Sequence, residues 1–187
     1  LGPALRRASE VMSRDKAAPI LCGVLIDADG AIVGSDGFSM VATETAIDVG
    51  VQIVIPILMV EALLTSWPDL EGGWVQTWTM EDGRPMLAIY TGSGMVVGIG
   101  MEGAYPSWRD LLPDAGTSAA MVLVDTGVLA DVIQAVSLVS EASAPIVILN
   151  VDVQGRITVA LEEEGRKALT KLIPATAKDV KTNATAQ

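Results

Sequence analysis

Between Ala4 and Arg14 the apolar residues recur at helical spacing. Leu5, Ala8, Val11 and Met12 share one face, and Arg6, Arg7 and Arg14 fall mostly on the other. The pattern then turns to short apolar runs separated by turn residues. In PILCGVLIDADGAIVGSDGFSMVATE two apolar runs flank Asp29-Gly30, a type I′ hairpin signal, and Ser35-Asp36-Gly37 marks a second turn. VQIVIP reads as another strand, and Pro56 suits the first turn of a helix over PILMVEALLTSW. After a break at Pro68, GWVQTWTM, PMLAIY and GMVVGIG read as strands divided by Glu-Asp-Gly and Thr-Gly-Ser turns. Residues 1–104 therefore predict a helix, three strands, a helix and three or more strands, an α+β unit with antiparallel sheet.

Beyond YPSWRDLLP, residues 105–113, the pattern restarts. MVLV predicts a strand. DTGVLADVIQAVSLVSE predicts a helix capped by Asp125 or Thr126, with Leu129, Val132, Ile133, Val136 and Val139 as its apolar stripe. SAPIVILNVDVQGRITVALEEEG then parallels AAPILCGVLIDADGAIVGSDG, and KLIPATAKDV echoes VIPILMVEAL. This is an internal repeat whose second copy stops where its second helix should begin. The predicted domains are 1–113, complete with its linker, and 117–187, partial, with a polar tail that reads as a truncated helix or disorder.

Composition narrows the functional classes. Half of the residues are hydrophobic but only 4% are aromatic, so the core must be built from aliphatic side chains and Met. Mean hydropathy is +0.46. The most apolar run, Ile53 to Val60, is nevertheless broken by Pro56 and far shorter than the roughly 20 residues of a spanning helix. The expectation is a soluble, cytoplasmic protein without a signal peptide or membrane partner. The single cysteine, Cys22, excludes an internal disulfide framework. Net charge is −11 and uneven: residues 1–116 hold 15 acidic and 6 basic side chains, residues 117–187 hold 8 and 6. That balance opposes non-specific attraction to nucleic acid.

Candidate catalytic chemistry is thin. Histidine, the commonest general base and metal ligand, is absent. TGSGMVVGIG contains Gly-x-Gly but opens no helix, so it lacks the context of a phosphate cradle. Glu162–Glu164 alternate across a strand or turn and form a poor metal cage, reading as a solvated turn. DADG lacks the remaining ligands of a calcium loop. Cys22 reads as an inert thiol in an apolar strand, and the Asn183-Ala184-Thr185 sequon as coincidental. No enzymatic activity, cofactor or metal is expected.

Three motifs, in order, resemble the bacterial DNA polymerase sliding clamp, the beta subunit of the replicative polymerase. APILCGVLI resembles its Pro-[Ile/Val]-Leu-x-Gly-Val-Leu strand, GSDGFSMVA its Ala-Thr-Asp-Gly-His-Arg-Leu-Ala, and YPSWRDLLP its Phe-Pro-Asp-Tyr-Arg-Arg-Val-Ile-Pro linker. The resemblance extends to about residue 175 and matches the middle domain plus the first half of the C-terminal one. It implies a DNA-clamp fold: repeated α+β domains of two helices packed on antiparallel sheets, the second domain here incomplete. Six such domains close a ring around duplex DNA. It further implies a hydrophobic groove for Gln-Leu-type peptides of polymerases and clamp loaders. The matching positions are Leu21 in the first strand, Ser35, Gly37, Phe38, Ser39 and Met40, and Pro106, Asp110 and Leu111 from the linker. DNA would be met, weakly and non-specifically, by Arg6, Arg7 and Arg14, and ring closure requires self-association. Two departures stand out: Phe38-Ser39-Met40 replaces His-Arg-Leu, and Asp110 replaces the second linker Arg. The alternative is a clamp-fold interaction module that binds partner peptides, or a true clamp, without encircling DNA.

Overall fold

The computed structural model describes residues 1–67, 70, 73–112, 120–138, 146–152, 156–163, 166–173 and 176–180. The chain divides into two compact units, Leu1–Arg109 and Asp110–Gln187.

Helix α1 (Gly2–Val11) begins with Pro3 in its first turn, where a fixed φ suits the helix and no amide is needed. Its apolar stripe is buried as the spacing predicts: Leu5 and Ala8 are fully covered and Met12 is 5% exposed. Arg6 and Arg7 lie on the exposed face. Four strands follow where three were expected: β1 (Gly23–Ile26), β2 (Ile32–Ser35), β3 (Met40–Thr43) and β4 (Ile53–Pro56). The run after Ser35-Asp36-Gly37 is a strand in its own right. They form one antiparallel sheet in the order β3-β2-β1-β4. Every residue of β1 and β2 is buried, because both faces of the sheet are covered. Val24, Ile26, Ile32, Ile53 and Ile55 face α1 and α2 (Ile57–Ser66) in the main core. Leu25, Val33 and Val54 face the other way, into a second cluster. Close approach of α1 to the sheet depends on Gly34, where a Cβ would stand 2.0 Å from the Ala8 carbonyl oxygen.

The β1–β2 connection is not the two-residue type I′ turn read from Asp29-Gly30. The Asp27 N–H donates to the Ala31 carbonyl at 2.8 Å, and the Gly30 N–H to the Asp27 carbonyl at 2.9 Å. This closes a three-residue loop that ends on a left-handed glycine, Gly30, at φ +85°. Glycine is doubly required there, since a Cβ would lie 1.7 Å from the Ile47 carbonyl oxygen. Strands β5 (Trp74–Thr79), β6 (Pro85–Thr91) and β7 (Gly94–Ile99) form a three-stranded antiparallel meander from the three runs that read as strands divided by turns.

In the second unit β8 (Ala120–Leu123) precedes α3 (Thr126–Ser137), whose cap is Asp125, accepting from the Val128 N–H at 2.9 Å. Val132 and Val136 of the expected stripe are buried with Ile157 and Val159. Val139 and the linker end, residues 113–119, lie outside the described residues. Strands β9 (Ile146–Val151), β10 (Ile157–Glu163) and β11 (Arg166–Ile173) repeat the helix-then-meander order of α1 and β1–β3. The copies part at the next strand. Lys171–Ile173 belong to β11, not to a counterpart of β4, and Thr176–Val180 form β12, paired with β8. The expected helix start is thus a strand. Glu162 and Glu163 likewise sit in β10 opposite Lys167 and Arg166 rather than in a turn, and Glu164 lies outside the described residues, as does the sequon at 183–185.

Candidate peptide groove and linker anchor

The segment 101–109 crosses the outer face of the first sheet and is tied to it residue by residue. The Met101 N–H donates to the Val54 carbonyl at 2.8 Å. Tyr105 (6% exposed) and Trp108 (7%) complete the cluster of Leu25, Ala31, Val33 and Val54. Their cover comes from the first unit itself. The Trp108 indole Nε1–H donates to Asp27 Oδ2 at 2.9 Å, and the Arg109 guanidinium bridges the Asp27 and Asp29 carboxylates. The same guanidinium carbon stands 4.1 Å from the Trp108 ring centroid, in cation–π range. Burial works against the ionised form of Asp27, but the Trp108 and Arg109 donors, with the Ala28 N–H, outweigh it and lower the pKa. The DADG turn, read from sequence as a hairpin only, is therefore the acidic socket of the linker. The sequence signal for this was the pairing of an Asp-x-Asp turn with a Trp-Arg dipeptide, 81 residues apart.

Tyr105 is held differently. Its hydroxyl is buried without a hydrogen-bond partner among the described residues. Burial pushes the phenol up to about 12, weakly opposed by the Ser35 backbone.

The sequence-predicted groove residues divide into three groups. Leu21 and Met40 pack, partly buried, against the Tyr105–Trp108 cluster, and a Cβ on Gly37 would lie 3.8 Å from Leu21 Cδ1. Ser35, 8% exposed, closes this corner. Leu21 is not in the first strand: Pro19–Cys22 form a 3-10 turn ahead of β1. Cys22 is accordingly half-buried rather than a core strand thiol, and its Sγ donates to the Asp15 carbonyl at 3.2 Å.

The second group is the β2–β3 loop. Asp36 Oδ1 accepts from the Phe38 N–H at 2.9 Å and the Ser39 N–H at 2.7 Å, and Ser35 Oγ donates to the Ser39 carbonyl at 2.8 Å. The Ser39 and Phe38 amides hold the Asp36 carboxyl below its ordinary pKa. Gly37 takes the left-handed conformation at φ +92°. The loop is thus fixed by its own hydrogen bonds while presenting the Phe38 ring fully to solvent, at 100% exposure.

The third group is Pro106, Asp110 and Leu111. All three are exposed, Leu111 at 67%. Pro106 lies between the buried Tyr105 and Trp108, whereas Asp110 and Leu111 belong to the second unit. Of the proposed DNA contacts, Arg6, Arg7 and Arg14 are exposed on or just beyond α1. The exposed faces of α2 and α3 contain no Lys or Arg and carry Glu61 and Asp131. Among the described residues no group of three or more Asp, Glu, Cys or His could hold a metal, and no helix is long and apolar enough to cross a membrane.

Neither a protein-family model nor a curated protein sequence matches the chain. Solved structures do. The beta sliding clamp of Caulobacter crescentus superposes with a TM-score of 0.70 at 14% identity, covering 95% of this chain and 48% of the clamp. The DNA polymerase III beta-subunit clamp of Bartonella birtlesii, solved with griselimycin bound, gives 0.70 at 16% identity, with 95% and 49% covered. The polymerase sliding clamp of Pseudomonas aeruginosa gives 0.69 at 18% identity, with 96% and 51% covered. The chain thus spans about half the length of the clamps it matches. From β1 to β12 this protein carries the bacterial DNA sliding-clamp fold.

Proposed function

We propose that the chain serves as a clamp-like processivity factor, tethering polymerase or related partners through a hydrophobic peptide groove while encircling DNA in an assembly of several copies. The observation that carries the reading is the corner formed by Leu21, Ser35, Gly37 and Met40. Within a clamp fold, these residues pack beside a linker locked to the sheet by Trp108 and Arg109, next to a rigid loop that offers Phe38. An apolar peptide side chain needs such a preformed wall, because affinity then is not lost to ordering the site. The reading requires no catalytic residue.

One observation favours the second reading, an interaction module that does not encircle DNA. Helices α2 and α3 offer no cation to a duplex, leaving Arg6, Arg7 and Arg14 to meet phosphates. Titration with a Gln-Leu-type clamp-binding peptide, run beside retention on circular DNA, separates the two. Retention on circles that is lost on linearisation supports the clamp; peptide binding without retention supports the module. Burial of one aromatic ring contributes about 1.5–3 kcal/mol, so Phe38→Ala should weaken peptide binding at least about tenfold. Phe38 is fully exposed, so the fold should be unaffected. If neither peptide nor circle is bound, both readings fail.

A further inference from the structure

The β5–β6–β7 meander is apolar on both faces. Its inner face, with Leu87 and Ile89, closes the main core. On its outer face the strand register sets three rows: Trp74–Tyr90–Met95, Gln76–Ala88–Val97 and Trp78–Met86–Ile99. None of the nine positions is charged, and Gln76 is the one amide among them. Antiparallel sheets with one covered face ordinarily alternate polar residues on the other. Here Trp74 is 56% exposed, Trp78 39%, Met95 58%, Val97 47% and Ile99 42%. Trp74 stacks on Tyr90 at 3.8 Å between ring centroids, so the first row is a flat, preformed platform.

We propose that this face is a docking surface for a second copy of the chain, packed sheet on sheet about a two-fold axis. Three properties point to that occupant. The exposed side chains offer roughly 500 Å² per copy, at the upper end of the largest patch on an ordinary monomer. Two copies bury roughly 1,000 Å² from these residues alone, the size at which a specific interface begins. An apolar sheet face can pack on a copy of itself with the strands aligned within about 30°, as an isologous contact requires. The charges are placed to allow it. The β5–β6 turn holds Glu81 and the Asp82–Arg84 pair, whereas the β6–β7 turn, Gly92-Ser93, is uncharged. A two-fold axis running across the strands exchanges the ends of the meander and sets each acidic turn over an uncharged one. An anionic membrane is disfavoured, since among the described residues of the first unit the cation beside the patch is Arg84, already paired with Asp82. The surface does not depend on the clamp reading or on ring closure.

Sedimentation velocity across about 1–100 µM tests it, that being the affinity range such an area supports. The expected result is a mass rising from 19.5 kDa to twice that value. Trp emission should shift blue as Trp74 and Trp78 become covered. Trp78→Thr keeps a strand former but removes the anchor, and should raise the dissociation constant at least tenfold. Met95→Lys puts a charge on an exposed position and should abolish the dimer while leaving the far-ultraviolet circular dichroism unchanged. Added salt should strengthen the contact, because it screens repulsion between two copies of charge −11. A monomer throughout, an oligomer indifferent to both substitutions, or one weakened by salt would overturn the proposal. So would capture of the monomeric face by a Leu/Lys amphipathic helical peptide with no dimer forming at any concentration.

Discussion

Replacing Tyr105 by Phe tests whether the linker cluster is held by shape or by hydrogen bonding. The ring is 6% exposed and packs among Leu25, Ala31, Val33 and Val54, so the phenyl keeps every apolar contact. Among the described residues the hydroxyl lacks a hydrogen-bond partner, and it is solvated in the unfolded chain. A desolvated, unpaired polar group costs about 1–3 kcal/mol, and the nearby Ser35 backbone recovers a little of it. The expected outcome is a gain of about 1 kcal/mol, read as a higher urea midpoint with unchanged slope by Trp fluorescence at neutral pH. Alkaline pH supplies an independent arm. The folded pKa, about 12, lies above the ordinary value of 10. The neutral phenol therefore favours the folded state below pH 10, and that advantage disappears as pH rises through 12. A two-unit shift is worth about 3 kcal/mol at most, so wild-type stability should fall between pH 10 and 12 while Tyr105→Phe lacks that component. A variant that loses more than about 1 kcal/mol at neutral pH would show that the hydroxyl is bonded and the cluster misread.

Two further pairs of substitutions probe the elements around the candidate groove. Asp27→Ala strips the acceptor from the buried Trp108 indole and should cost about 1–3 kcal/mol in urea unfolding, whereas Asp29→Ala, which removes an exposed partner of Arg109 and a long 3.3 Å bond from the Ala31 N–H, should cost less. Because Asp27 has a lowered folded pKa, its contribution is fully present above the ordinary carboxylate value near 3.8, is lost as pH falls below it, and should vanish from the acid limb of the variant. Gly34→Ala drives a methyl into the Ala8 carbonyl and should destabilise by about 1–3 kcal/mol or more, whereas Gly92→Ala, with nothing within 4 Å, should be close to neutral; thermal melts of the pair check this.

What the sequence made legible was local. The α1 stripe, the Asp125 cap and the turn-divided runs of β5–β7 are each decided within a few residues, by side-chain period, by a carboxylate reaching an amide or by turn residues. Longer-range choices were not. Pro19–Cys22 is as apolar as a strand, but Pro19 fits the first position of a 3-10 turn, and the Leu21 carbonyl is taken by the Ser13 N–H instead of a ladder partner. KLIP matched VIP by composition. Its role was set by cross-strand partners instead, Ile173 pairing with Ile157 and leaving Thr176–Val180 to β8. The candidate groove residues came from motif resemblance, whereas the linker anchor beside them was invisible because Trp108 and Asp27, 81 residues apart, meet only in the folded unit.

The charge distribution assigns different physics to the two halves of the proposed function. Counterion release scales with neutralised phosphates at a slope of about −0.9 each, so three arginines on and beside α1 contribute a salt slope no steeper than about −3 per copy. Against a net charge of −11 that contact cannot hold DNA by affinity. Retention, on this reading, comes from closure around the duplex and is governed by the lifetime of the protein–protein contacts. The groove corner is the opposite case. Leu21, Gly37, Phe38 and Met40 are uncharged, and the nearest carboxylate, Asp36, is occupied by the loop's own amides. Peptide capture there follows apolar burial and is indifferent to moderate salt. On this reading, Phe38-Ser39 in place of His-Arg moves the proposed recognition in this loop from charge toward aromatic contact, and the expected partners are those whose anchoring residues are apolar.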